Sequence, residues 1–192
     1  MNKLSHEKKT DHLINDRNPS KHHISAFFTA RRIAFLALLT AACVVGRFLF
    51  TFLPNVQPMT AILLMLTLIL SLPEALLVTG LSLVITNLFL GFGIWTIGQF
   101  ISYTGILLIF YLLTRLPVFG SKLWFQAVIS GLLGFVYGFI YSIFNYFLMG
   151  MTVFWPYWIS GLSFDALHAL GNISFYLILW PILNRVIVKR GS

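Results

Sequence analysis

The chain has 192 residues, 58% of them hydrophobic and 9% charged, with a formal net charge of +8 and a mean hydropathy of +0.88. A soluble domain carries roughly 25% charged residues, so this composition excludes a chain that covers itself against water and points to helices in lipid, each satisfying its own backbone hydrogen bonds. The basic excess does not make a nucleic-acid face: five of the thirteen Lys and Arg lie in residues 1–30 and most others sit at helix ends, the distribution of membrane topology determinants.

Residues 1–30 are polar, with few apolar side chains before Ile24, and are expected to form a disordered cytoplasmic tail. His22-His23 within it is read as solvated tail rather than a metal site. Arg31-Arg32 then introduces a first span over roughly 33–53. Its apolar run continues about ten residues past Cys43, and a long polar stretch precedes it, so a retained helix fits better than a cleaved signal. Cys43 is the one cysteine, which excludes disulfides within the chain and cysteine-based metal sites.

Further apolar spans follow at about 59–72, 75–91, 96–114, 124–149 and 159–187. Turn chemistry divides them at Pro54 to Pro58, Pro73-Glu74, Gly91-Phe92-Gly93, Pro117 to Lys122 and Gly150 to Pro156. The expected fold is an all-α membrane protein, a bundle of six transmembrane helices over residues 31–190. Placing the N-terminus inside puts Arg31, Arg32, Arg115, Lys122, Arg185, Lys189 and Arg190 all on the cytoplasmic side and leaves the predicted outer loops without Lys or Arg. Both termini are therefore expected in the cytoplasm of a multi-pass cell-membrane protein.

In that frame the embedded polarity is lopsided. Arg47, Asn55, Gln57 and Thr60 flank the first outer loop. Thr86 and Asn87 end the third span, and Trp95, Gln99, Ser102 and Tyr103 open the fourth. Tyr141, Asn145 and Tyr146 end the fifth, while Trp155, Tyr157, Trp158, Asp165, His168 and Asn172 open the sixth. Five helices thus send polar or aromatic side chains to the outer half of the membrane, where such groups face a protein interior or a wet cavity. An outward-opening ligand pocket explains them together; taken singly, Trp and Tyr also suit an interfacial belt.

Asp165, His168 and Asn172 share one helix face by their spacing. An Asp–His pair can relay protons, bind a ligand or hold the fold together, and Arg47 is a candidate counter-ion for Asp165. Small residues four apart, Ala37 with Ala41 and Gly134 with Gly138, permit close helix approach inside the bundle or against a partner. No G-x-x-x-x-G-K-[ST] run exists, so no ATP site of that kind is expected. No H-E-x-x-H motif or paired glutamates support a metalloprotease, and Ser163 of Gly161-Leu-Ser163 lies five residues from His168 on one helix, which points the two apart; no enzymatic activity is expected. Without a visible inverted repeat, a proton-coupled secondary transporter using Asp165 and His168 stands as an alternative, and a non-transport scaffold as a third.

Pro54-Asn-Val-Gln-Pro58 with Thr60, Asn87-Leu-Phe-Leu-Gly91 followed by Gly93-Ile-Trp95-Thr-Ile-Gly-Gln99, and Phe164-Asp-Ala-Leu-His-Ala-Leu-Gly-Asn172 carry a resemblance. With six spans and Ala-xxx-Ala on the first, the chain resembles the substrate-binding S-components of energy-coupling factor (ECF) transporters, most closely the cobalamin branch. Ile94 and Ile97 stand where that branch has proline, and Leu72-Pro-Glu74 replaces a more Gly-rich turn. The resemblance implies a subunit that binds a vitamin, cobalamin or a related corrinoid first among them, from outside. It also implies a transmembrane coupling protein and two ATPase subunits as partners, ATP being used by those ATPases and no cofactor by this chain. Ala37 and Ala41 would face the coupling protein. Asn55, Gln57, Asn87, Trp95, Gln99, Asp165, His168 and Asn172 would line or shape the pocket, to which the clustering adds Arg47, Thr60, Tyr103, Asn145 and Trp158. Another vitamin or precursor is the alternative cargo.

Overall fold

The computed structural model describes residues 29–117, 119, 122–148, 150 and 152–191, with side chains placed through Arg185. Six α-helices follow one another: α1 (Ala30–Leu49), α2 (Met59–Ile69), α3 (Leu72–Leu90), α4 (Trp95–Leu113), α5 (Leu123–Leu148) and α6 (Phe154–Gly191). No strand occurs among the described residues. Five of the six are long and apolar enough to cross a membrane, which marks the chain as a multi-pass membrane protein. The expected tail, with His22-His23, lies outside the described residues apart from Thr29 and Ala30. The chain divides into two compact units, residues 1–38 and 39–192. Of the first, the described part is Thr29, whose carbonyl accepts from the Arg32 and Ile33 amides at 2.8 and 3.1 Å, and the opening turns of α1.

The second unit carries all that follows except Ala37 of α1. Its exception in length is α2, at 11 residues about 16 Å against a hydrocarbon core of about 30 Å. Met59–Thr67 are all buried, because α2 is apolar all round, as a helix surrounded by protein must be. It touches α3, α4 and α6, while α4 lies between α3 and α5, and α5 and α6 share the broadest interface. Within the unit α3, α4, α5 and α6 thus pack in succession, and the short, buried α2 lies against α3, α4 and α6. Outward, Leu88, Phe89, Leu112, Leu132 and Leu170 are exposed, an apolar coat suited to lipid.

Two helix starts differ from the sequence reading. Pro73-Glu74 is not a break between spans but the first turn of α3. Proline is tolerated there because its missing N–H would have no partner within the helix, and the Glu74 carboxylate accepts from both the Ser71 amide (3.0 Å) and the Ser71 hydroxyl (2.8 Å). Likewise Pro156 belongs to the first turn of α6, so that helix starts at Phe154 rather than near residue 159 and continues through Pro181. Its 38 residues rise about 57 Å, well beyond one hydrocarbon thickness.

The α5–α6 interface rests on glycine. A Cβ on Gly134 would lie 3.0 Å from the Ala169 backbone nitrogen, and one on Gly131 would meet Ile173 at 2.7 Å. The small-residue spacing on α5 thus serves packing within the chain, backbone against backbone. Asn172 reinforces it, donating to the Ser130 carbonyl at 3.2 Å, and Tyr176 donates to Gln126 at 3.1 Å.

Candidate ligand-binding site

The segment between α1 and α2 folds inward and is gripped on both sides. At Gly46 of α1 any Cβ would collide with the Pro58 ring, and at Gly171 of α6 a Cβ would come within 3.3 Å of the Val56 backbone. Between these contacts Asn55 adopts a positive φ of 60°, which asparagine tolerates better than most residues. Its side-chain amide donates to the Phe164 carbonyl at 2.9 Å. The segment is thereby tied across to α6 just where Asp165 and His168 follow.

Two cavities adjoin beneath it. The smaller, about 70 Å³, is walled by Arg47, Asn55, Gln57, Thr60, Gln99, Tyr103, Tyr137 and His168. The larger, about 430 Å³, is bordered by Asn55, Gln99, Tyr137, Gly138, Tyr141, Ser142, Tyr157, Ser160, Gly161, Phe164 and Asp165. They share Asn55, Gln99 and Tyr137 as common wall. The small one is lined chiefly by hydrogen-bonding groups and the large one by tyrosine and phenylalanine faces, the mix that holds an organic ligand and fixes its orientation.

At the floor, Thr60 in the first turn of α2 joins two other helices. Its hydroxyl lies 2.8 Å from His168 Nε2 and 3.3 Å from the Tyr103 hydroxyl. The Tyr137 ring stands edge-on to His168 at 5.2 Å and against Tyr103 at 4.8 Å. Arg47, in the last turn of α1, donates to Thr86 Oγ1 at 2.9 Å. Within the described residues no ion pair joins it to Asp165, so the expected counter-ion pairing is absent. Asp165 and His168 are not hydrogen-bonded to each other either. The histidine looks to Thr60 in the small cavity, while the carboxylate borders the large one against Gly138, where any Cβ would overlap it.

No family model, curated protein or solved structure matches the chain. The reading of the site therefore rests on its geometry.

Of the expected site residues, Arg47, Asn55, Gln57, Thr60, Gln99, Tyr103, Asp165 and His168 border the two cavities. The others stand behind or away from them. Asn87 is buried and donates to Thr96 Oγ1 (2.9 Å) and Gln99 Oε1 (2.8 Å), so it orients a wall residue. Asn145 does the same for Tyr157, donating to its hydroxyl at 2.9 Å. Asn172 ties α6 to α5. Trp158 packs edge-on against Phe139 and Trp155, and Trp95, 40% exposed, donates to the Gly91 carbonyl at 3.3 Å. Ala37 and Ala41 are exposed on α1.

Sequence reading missed Tyr137, which borders both cavities. Its one signal was Tyr141 a turn away in a largely apolar helix. Ser142, Ser160 and Gly161 carried none, being small residues in largely apolar helices, while Gly138 was read only as a packing residue and Phe164 only as part of a motif. Among the described residues no group of three His, Cys, Asp or Glu side chains could hold a metal ion.

Proposed function

We propose that this protein is the substrate-binding membrane subunit of an ECF-type importer, taking up a vitamin-class molecule from outside and releasing it inward with a coupling protein and two ATPases. The observation that carries the reading is the pair of adjoining cavities, bordered by five helices and the 50–58 segment, whose polar groups include some without a partner among the described residues. Six crossings with both termini in the cytoplasm fit it. The descending 50–58 segment completes the crossing that α2 is too short to make alone, since the neighbouring α3 rises about 28 Å and α2 only about 16 Å. Exposed Ala37 and Ala41 suit a face for the coupling protein.

A corrinoid is the first ligand to test, on the motif resemblance. It is larger than both cavities together, so its entry requires the Asn55–Phe164 tie to open and the 50–58 segment to withdraw as a lid. A smaller vitamin or precursor is favoured by the volume itself, which falls in the usual range of about 300–1,000 Å³ for small-molecule pockets. The separation of Asp165 from His168 gives a proton-coupled secondary transporter little support.

The test is thermal unfolding of the purified protein against a panel of vitamins and precursors that includes corrinoids. A true ligand raises the midpoint in a saturable way, and uptake of that ligand by cells stops when the partner ATPases are deleted. A panel without any stabilising compound, or uptake that persists on a pH gradient without the ATPases, would overturn the proposal.

A further inference from the structure

Two side chains that line the small cavity carry ring or guanidinium nitrogens without a partner among the described residues. Arg47 spends one NH group on Thr86, while its Nε is buried and has no partner among the described residues. His168, 4% exposed, uses Nε2 on Thr60, and its Nδ1 is likewise buried without a partner. When Tyr103 donates to Thr60 and Thr60 to Nε2, it is Nδ1 that carries the ring proton. The third contribution is backbone. α2 starts at the cavity wall, with Gln57 and Thr60 in its lining, and no side chain caps that end. The amides of its first turn have no acceptor within the helix, and they bring the positive end of the helix dipole to the same place.

A guanidinium held in a membrane protein without an acidic partner is costly. Among the described residues no Asp or Glu borders this cavity; Asp165 belongs to the larger one next to it. Resting on the reading of the two cavities as the ligand site, we infer that the small cavity is an oxyanion subsite, which receives a carboxylate or phosphate group of the ligand. At about 70 Å³ it holds one such group, given that a water's share of liquid volume is about 30 Å³. The aromatic body of the site then takes the rest of the molecule, and Asp165 at the far side favours a cationic or donor group there. An anion bound between a guanidinium and a helix N-terminus makes charge-assisted hydrogen bonds, stronger than neutral ones.

The experiment is thermal unfolding of the purified full chain in sodium phosphate, sodium acetate or sodium chloride at one ionic strength. Phosphate, acetate or both raise the midpoint saturably above chloride; which of them does so tells a phosphoryl from a carboxylate ligand. Arg47→Met abolishes the shift, while Arg115→Met, which alters an exposed arginine stacked on Tyr111, keeps it. Should Arg47→Met not fold, His168→Phe removes one donor and keeps a ring against Tyr137, and the shift shrinks. Equal midpoints in all three salts, or a shift that survives both site variants, overturns the subsite. A vitamin that stabilises the wild type and Arg47→Met equally also removes the subsite and leaves the ligand-site reading standing. If neither the vitamins nor the anions stabilise the protein, both readings fall.

Discussion

Gly138 and Asp165 meet so closely that a single methyl group would overlap the carboxylate. The glycine is what lets an acidic side chain lie flat against α5 at the cavity edge. Gly138→Ala should therefore cost about 1–3 kcal/mol, as overpacking does, and push the carboxylate into the ligand space. In an Asp165→Ala background the same substitution should cost less by about 0.5–3 kcal/mol, the coupling expected of touching residues. Unfolding of the four proteins of the cycle measures this, and additive losses would refute the contact. Asn87 makes a second case at this scale. It borders neither cavity, yet it fixes Gln99, which borders both. Asn87→Ala strands Gln99 Oε1 and Thr96 Oγ1, a loss of about 1–3 kcal/mol for buried groups left unpaired, and should weaken ligand binding as well. Binding titrations on the variant decide whether Asn87 positions the site: unchanged affinity would make its role structural alone.

At the scale of the element, α5 and α6 show what a helix sequence can and cannot announce. Gly134 and Gly138 were legible as a close-approach face, but not which helix would come close. The approach sets Ala169 backbone against Gly134, where nothing can yield, so Gly134→Val should destabilise the isolated protein by about 1–3 kcal/mol in the absence of any partner. Variant and wild type unfolding alike would return this face to a partner protein. The polar residues divide on the same principle. Arg47, Asn55, Gln57, Thr60 and Gln99 were legible as a cluster because each interrupts an apolar run or sits at its end. Asn145 and Asn172 looked no different in sequence, yet one bonds Tyr157 and the other a carbonyl on α5, since an amide's partner is decided by the neighbouring helix. Tyr137 stayed hidden because tyrosine within a span suits an interfacial belt as well as a cavity wall. The turn at Pro73-Glu74 misled for a local reason: proline reads as a breaker until the Ser71–Glu74 cap shows that the helix has already begun.

For the whole molecule, sidedness joins these observations. Arg115 and Lys122 lie in the α4–α5 connection, whereas the small cavity is lined from the 50–58 connection by Asn55 and Gln57, and the large one by Asn55 and also by Tyr157, just after the α5–α6 connection. If the site takes its ligand from outside, the latter two connections are extracellular and the α4–α5 connection is cytoplasmic. Thr51, Lys122 and Thr152 are exposed positions in the three connections, and native Cys43 is fully buried, so single cysteines report without background. Thr51→Cys and Thr152→Cys should react with a membrane-impermeant thiol reagent on intact cells. Lys122→Cys should react only after permeabilisation, because the positive-inside bias keeps that connection in the cytoplasm. The reverse pattern would turn the cup toward the cytoplasm and make export, not uptake, the direction its geometry serves. Labelling of Thr51→Cys and Lys122→Cys from the same side would mean that α2 with its descending segment does not complete a crossing. The short, buried helix would then be a re-entrant one, with five crossings rather than six and the termini on opposite faces.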